Sequence, residues 1–224
     1  KLRKGLLQVQ WNEINKYTQE EITYFLFLEG KSLEAICKIR NINRDVAQKH
    51  IIDGKIKYGL LVKSKDEGEL LQNVSRAGKS DKLDIINSLE ESTKIKLIEY
   101  IRKNYVEMYP KEKETAIWII GELKEKSCMD ILIKASVHKF VNVRRMAVSA
   151  MGKMEDIALE MPLIRALEDD NPQVVLYAIK ALTKVKSLKA KEKISCIFNN
   201  SDKDYLKRAA ERYMEEIELN SNGR

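Results

Sequence analysis

Three cations, Lys103, Lys134 and Arg165, recur in the sequence at a fixed 31-residue interval. Cations repeated along one surface can follow the phosphates of a nucleic acid. The other interpretation is a solvated helix face, because 41 of the 224 residues are Lys or Arg. A comparable acidic column argues against a uniformly basic groove. Its members are Glu99, Asp130 and Glu192.

The residue types that most often perform catalysis or bind metals are sparse. The two histidines, His50 and His138, lie far apart, and the three cysteines form no paired motif that could hold zinc. The chain also has no phosphate-binding glycine loop and no serine-nucleophile motif. We therefore expect no enzyme, no metal and no cofactor. An odd, dispersed set of thiols is typical of a reducing compartment, and the longest apolar run (22–28) is too short to cross a bilayer. We expect a cytoplasmic protein without a membrane partner.

The same 31-residue interval extends well beyond the cations. Small residues recur at Ala116, Ala147, Ala178 and Ala209, and large apolar residues recur at Ile120, Met151, Leu182 and Tyr213. A second apolar column falls at Leu132, Leu163 and Ile194. The pattern predicts two helices per repeat, because a small side chain lets neighbouring helices approach while large ones fill the space around it. Counting back by one interval from Ala116 predicts a divergent first repeat at about 80–110.

The segments MPLIRALEDDNPQVVLYAIKAL (161–182) and VNVRRMAVSAMGKM (141–154) resemble short HEAT repeats of the phycobilisome-lyase-like kind. The resemblance covers about 80–217. It implies a right-handed stack of antiparallel helix pairs whose second helices line a concave face, so Lys103, Lys134 and Arg165 would form a basic stripe there. It also implies an interaction scaffold rather than a particular chemistry.

Some HEAT-like proteins are alkylpurine DNA glycosylases with an aromatic residue and an aspartate in the pocket. Trp118 and Asp130 could mimic that pair, but no motif maps residue by residue. Trp118 is better interpreted as a core residue of its repeat.

The N-terminal part has a different pattern, that of three helices. Thr18 and Glu21 predict a capping box at the first helix, and Ser32 can cap the second. The turn then falls at Asn41, the non-glycine residue type best able to adopt a positive φ. The third helix is predicted from Asn43 to about Asp53. Its outward residues are Arg44, Asp45, Gln48 and Lys49, and His50 is interpreted as a helix-packing residue.

Residues of about 18–56 resemble a helix-turn-helix, on the strength of Gly30-x-Ser32, an apolar core with Ala35 and Ile36, and Val46 followed by His50. They are similar to the output domains of response regulators, to region 4 of sigma factors and to the small module appended to some RecQ-type helicases. The resemblance implies that the third helix enters the major groove of DNA.

In that role Arg44, Gln48 and Lys49 would contact bases or phosphates, and Asn43 would lie near a phosphate. Asp45 would repel phosphate unless it reads a cytosine amine. The alternative is that a three-helix unit of this shape docks proteins or mediates dimerisation. Residues 1–63 contain 12 Lys and Arg against 7 Asp and Glu, whereas the remainder contains 29 against 27, so the N-terminal part favours a polyanionic partner.

These patterns predict an all-α protein with a helix-turn-helix domain at 1–63, a linker at 64–79 and a HEAT-repeat solenoid at 80–224, of about four repeats and a C-terminal cap. Residues 1–17 are predicted to be an amphipathic extension that packs on the module or on a second copy of the chain. The main functional hypothesis is a non-enzymatic DNA-binding regulator or adaptor, whose repeats bind a protein or support the duplex. The alternatives are a pure protein-interaction scaffold and, third, a glycosylase.

Overall fold

The computed structural model describes residues 1–222, without the side chains of Lys79 and 220–222, so the last two residues of the predicted solenoid lie outside the described residues. The chain is all-α apart from one small hairpin, and it forms two compact units, residues 1–100 and 101–224. Unit 1 contains β1 (Leu2–Lys4), β2 (Leu7–Val9), α1 (Gln19–Leu28), α2 (Leu33–Arg40), α3 (Arg44–Lys63), α4 (Glu67–Arg76) and α5 (Lys79–Ser88). The helix α6 (Glu91–Asn104) contributes residues to both units.

Unit 2 is an α-solenoid of helix pairs. Its first helices are α7 (Pro110–Glu122), α9 (Val141–Met154), α11 (Pro172–Lys184) and α13 (Asp204–Asn222). Its second helices are α8 (Met129–Ala135), α10 (Glu160–Ala166) and α12 (Lys191–Asn200). Each first helix packs on the next one, and each second helix packs on the first helix that follows it, with α13 packed against α11 and α12. Starts at Pro110, Val141 and Pro172 reproduce the 31-residue interval.

The interval is also visible in the backbone that ends each first helix. Lys124, Glu155 and Lys186 are all left-handed, with φ of 50°, 53° and 53°. The peptide N–H of Glu125 donates to the carbonyl of Ile120 at 3.0 Å, and its counterpart at Ser187 donates to Leu182 at 3.1 Å. These bonds satisfy carbonyl groups that the helix end leaves free, and they turn the chain towards the second helix.

The predicted columns are buried, with one difference in the last helix. Ala116, Ala147 and Ala178 have no exposed surface, but in α13 the fully buried residue is Ala210, and Ala209 is half-buried. Within unit 2 the helices approach closely at Gly121, where a Cβ atom would lie 2.8 Å from the Cα and Cβ atoms of Ala150. Gly152 stands in the same relation to Ala181, so the first helices of successive repeats are in near-backbone contact.

Unit 1 is built around α3, which is longer than its sequence indicated. The helix continues from Arg44 to Lys63 rather than ending near Asp53. The helix continues through Gly54, and a glycine is required at this position for packing. A Cβ there would lie 2.1 Å from Cγ of Tyr24, so the glycine allows α1 and α3 to touch. The tyrosine rings of Tyr24 and Tyr58 stack with centroids 6.1 Å apart beside Phe25.

The extension at 1–17 packs on the module, one of its two predicted placements, and its first residues form a hairpin, whereas the segment 64–79 differs from its prediction as a linker. Residues 1–9 form the β1–β2 hairpin, which packs on α3, and the N–H of Leu6 donates to the carbonyl of Leu61 at 3.0 Å. The segment expected to be a linker contains α4, capped by Asp66, whose carboxylate accepts the N–H of Glu69 at 2.8 Å. Its leucines and valine are fully buried, which gives this segment the apolar face that a helix needs to pack. The boundary between the compact units falls after Tyr100 and not in this segment.

Alanine substitution at two glycines of α3 tests this packing. Gly54→Ala is expected to lower the free energy of unfolding of unit 1 by about 2–3 kcal/mol, because the methyl group has no room against Tyr24. Gly59→Ala is the matched control on the same helix, where a Cβ meets nothing within 4 Å. It is expected to raise stability by about 0.5–1 kcal/mol. Urea denaturation followed by Trp11 fluorescence, in a Trp118→Phe background, measures both. Equal effects at the two positions would contradict the packing.

Candidate interaction surfaces

The turn that presents α3 has the conformation expected from the sequence. Asn41 is left-handed, with φ 51° and ψ 48°, and its N–H donates to the carbonyl of Cys37. Ser32 caps α2, and the side-chain oxygen of Asn43 accepts the N–H of Val46 at 2.9 Å. The capping box of Thr18 and Glu21 is also present. The local signals in the sequence therefore set the path of the chain from α1 into α3.

The four outward residues predicted on α3 are all exposed on its first two turns: Arg44, Asp45, Gln48 and Lys49. Arg44 is the only one of these with an ion pair in the described chain, and that contact with Glu34 is long, at 3.5 Å, and solvent-exposed. Asn43 uses its side-chain oxygen as a cap, which leaves its amide nitrogen for a ligand. The structure thus groups these residues on one accessible helix start.

His50 lies on the other side of α3 and is engaged within unit 1. Its side chain is largely buried, with Nδ1 3.3 Å from the hydroxyl of Thr23 and Nε2 3.8 Å from the carboxylate of Glu20. This agrees with the interpretation of His50 as a packing residue.

A buried carboxylate fixes the position of α3 on α1. The Oε1 atom of Glu21 accepts hydrogen bonds from Lys57 Nζ at 2.6 Å and Tyr58 Oη at 2.5 Å. Its other oxygen accepts the N–H of Thr18 at 2.8 Å. Burial raises the pKa of this carboxyl group, but the three hydrogen bonds outweigh it and leave the pKa below its ordinary value. Burial and the bond to Glu21 raise the pKa of Tyr58, so the phenol stays a donor. The carboxylate and the phenol are thereby committed to structure.

The residues of the predicted basic stripe are exposed in unit 2, namely Lys103, Lys134 and Arg165. Two of them stand beside acids. Lys134 lies 3.8 Å from Asp130 one turn earlier on α8, and Arg165 lines a shallow depression together with Glu168. The surface around the stripe is therefore of mixed sign.

Trp118 and Asp130, the pair weighed for a glycosylase, have separate neighbours in the structure. The ring of Trp118 is half-buried with Lys153 Nζ 5.9 Å from its centroid. Asp130 is exposed on α8 beside Lys134.

The sequence analysis missed a set of exposed apolar side chains that also follows the repeat. We call Val106, Tyr109, Val137 and Phe140 the repeat-edge surface; all four are exposed, the first two between α6 and α7 and the other two between α8 and α9. Val106 and Val137 are separated by one repeat interval, as are Tyr109 and Phe140. Lys139 Nζ lies 5.2 Å from the ring centroid of Phe140. The 31-residue interval is the signal that predicts these residues. The sequence analysis considered only buried and charged positions at that interval and therefore missed them.

A largely buried ion pair lies beneath this edge and joins successive repeats. Arg144 on α9 donates to both carboxylate oxygens of Asp169, at 2.6 and 2.9 Å, and to the carbonyl of His138 at 2.9 Å. Burial raises the pKa of Asp169, but the bonds from Arg144 and from the N–H of Asn171 outweigh it and hold the pKa below its ordinary value. Burial and the nearby cations Lys113, Lys139 and Arg144 lower the pKa of His138. Its Nδ1 accepts the N–H of Phe140 at 3.1 Å. One repeat later, at the equivalent positions, the carboxylate of Asp169 accepts the N–H of Asn171.

Neutralising Asp169 tests the contribution of this pair. Because its pKa is depressed on folding, the stabilisation is present above the ordinary carboxyl range and is lost as pH falls through the lowered pKa. Asp169→Asn is expected to cost about 3 kcal/mol at pH 7, since it leaves Arg144 buried without its partner, and to flatten the acid limb of the stability profile. The measurement is urea denaturation from pH 7 to 2, followed by Trp118 fluorescence in a Trp11→Phe background. Asp170→Asn, at the exposed neighbour, serves as the control, and an equal effect there would refute the role of the pair.

No protein-family model and no curated protein sequence matches the chain. Among solved structures, the chain is similar to a designed armadillo repeat protein in complex with the peptide (KR)4. The two share 15 % sequence identity with a TM-score of 0.49, over 76 % of this chain and 94 % of that one. Within residues 1–222, none of the helices is long and apolar enough for a bilayer span.

Proposed function

We propose that the chain is a non-catalytic scaffold that binds protein partners along its helical repeats. The observation that carries this proposal is the repeat-edge surface, where large apolar side chains stay in solvent at equivalent positions of successive repeats. Contiguous exposed apolar side chains on a folded protein mark interaction sites, and repeat proteins present them in register along an extended face.

The charges beside this surface favour a protein over a nucleic acid. Lys103 and Lys134 each precede a valine of the repeat-edge surface by three residues, so a cation lies one helical turn from an apolar side chain. Asp130 and Glu168 lie among them, which weakens attraction for a continuous phosphate backbone. An extended segment with apolar and acidic side chains fits this pattern, and on the HEAT resemblance it would run towards the concave face.

A display selection tests the scaffold function. Random peptides are selected on the full-length chain, and the dissociation constants of the winners are measured by anisotropy. The double variant Val137→Ser, Phe140→Ser is expected to weaken the selected peptides at least about tenfold, the effect of losing about 1.4 kcal/mol of contact energy.

The matched control is Ile157→Ser, Leu188→Ser, another exposed apolar pair at repeat-equivalent positions, with 60 and 65 % exposure against 57 and 44 %. If the dissociation constants of the selected peptides are unchanged in both double variants, or rise equally in both, the repeat-edge surface is not the binding site.

DNA binding by α3 is the second candidate, with the chain acting as a regulator or adaptor. The left-handed turn at Asn41 and the cap at Asn43 support it, because they leave Arg44, Gln48 and Lys49 accessible at the start of a helix. The excess of cations in residues 1–63 supports it as well. The free thiols Cys37, Cys128 and Cys196 support a cytoplasmic location for either function.

Anisotropy of a labelled duplex at several salt concentrations tests this second function. Arg44→Ala combined with Lys49→Ala is expected to weaken binding and to reduce the slope of log K against log salt by about 2. Lys65→Ala combined with Arg76→Ala removes the same charge from exposed positions of unit 1 away from the start of α3. Equal losses in the two variants would assign the effect to net charge, and no binding by the unmodified chain at low salt would exclude the function.

A further inference from the structure

A groove lies within unit 1 between the C-terminal half of α3 and α5. Its volume is about 840 Å³, within the range of ligand-binding clefts. Ile56, Gly59 and Leu60 of α3 form one side of its apolar floor, and Ala77 and Ile85 form the other. We call it the α3–α5 groove.

Two exposed isoleucines of α3 stand at the groove, Ile56 in its lining and Ile52 just beyond it. Ile56 is 76 % exposed, and Ile52, one turn earlier on the same stripe, is 56 % exposed. Two β-branched apolar side chains at i and i+4 on one helix face form a ready apolar strip for a partner. The strip from Ile52 to Lys63 is about 18 Å long, at about 1.5 Å per residue, which matches roughly three turns of a second helix.

The two walls of the groove have opposite charge. Lys63 stands on the α3 wall, and Asp81 and Asp84 stand one turn apart on the α5 wall, all three exposed. Within the described part of the chain, none of these three takes part in an ion pair. Lys57 is different, since Glu21 already holds it at 2.6 Å. Lys55 also lines the α3 wall, where its Nζ lies 5.0 Å from the ring centroid of Phe27. The walls therefore offer cations from α3 and two carboxylates from α5 to a ligand that lies between them.

Gly59 makes the floor accessible at its middle. A Cβ added there meets nothing within 4 Å, so the backbone of α3 is open to a side chain of a partner at this point. The glycine is unneeded for α3 itself, because the helix is regular there and alanine would favour it. Its missing side chain leaves open space in the lining of the groove.

We propose that the α3–α5 groove binds an amphipathic helix of a protein partner. Its apolar stripe lies on Ile52, Ile56 and Leu60, its acidic flank faces Lys63, and its basic flank faces the aspartates of α5. Helix-in-groove docking of this kind uses apolar anchors at i, i+3, i+4 and i+7 and takes its orientation from the flanking charges. The inference concerns a different surface from the repeat edge, and neither depends on the other.

Three synthetic helical peptides test the proposal on the full-length chain. They share one apolar stripe and differ in their flanks, with one acidic and one basic flank in the first, two acidic flanks in the second and two basic flanks in the third. Fluorescence anisotropy is expected to give the lowest dissociation constant for the first. Gly59→Leu fills the groove and is expected to raise that constant about tenfold or more, whereas Gln72→Leu, on an exposed site of α4 outside the groove, leaves it unchanged.

A charge variant and a folding control complete the experiment. Asp81→Lys combined with Asp84→Lys makes both walls basic and is expected to move the preference to the peptide with two acidic flanks. Circular dichroism checks that the variants fold, and Ile56→Ser, at an exposed position, replaces Gly59→Leu if the latter unfolds.

The proposal fails if the groove variants bind the first peptide as the unmodified chain does, or if all three peptides bind alike. It also fails if none of the peptides binds. Sedimentation velocity supplies one more decisive outcome. A dimer that Gly59→Leu dissociates would make a second copy of the chain the occupant, in place of a partner helix.

Discussion

Near-backbone contact between successive first helices is the constraint on which unit 2 depends. Gly121 against Ala150 and Gly152 against Ala181 leave no space for a further methyl group. Helices that approach this closely fix the step from one repeat to the next, so every other position must recur at the same interval if it is to meet the same surroundings. The buried leucine column of the second helices, the left-handed helix ends and the exposed repeat-edge surface all follow that one step. The repeat-edge surface is regular because the core beneath it is.

Unit 1 also depends on a close contact at a glycine, Gly54. Gly54 lets Tyr24 lie directly on α3, and the ring of Tyr58 and the carboxylate of Glu21 complete the contact around it. The hairpin packs on α3 as well. The helices α1, α2, α4 and α5 also contact α3, which leaves it with a packed side and an exposed side. Its first turns carry the residues proposed for DNA, and its last turns form one wall of the α3–α5 groove.

The sequence predicted features that depend on neighbouring residues or on a repeated interval. Thr18, Ser32 and Asn43 act as caps because their side chains reach the next free N–H groups, and Asn41 adopts the left-handed turn because few other side chains tolerate it. The helices of unit 2 follow from the repeat register for a similar reason, since each repeat supplies the evidence for the next. Features that depend on a distant contact could not be predicted in the same way. Gly54 resembles a helix breaker until Tyr24 is placed against it, so α3 was expected to end near Asp53 and not at Lys63. The α3–α5 groove is formed by helices that a supposed linker separated in the sequence, and its walls meet only after α4 has folded between them.

The left-handed residues that end α7, α9 and α11 lower the stability of the protein. Lys124, Glu155 and Lys186 hold a left-handed conformation that glycine adopts without strain, and each such residue stores of order 1 kcal/mol. A solenoid that carries this strain at three successive helix ends is not at its stability optimum, as is usual for natural proteins. The repeat interval would survive glycine at all three positions. The chain therefore has a built-in route to greater thermal resistance that leaves the repeat-edge surface and the α3–α5 groove untouched.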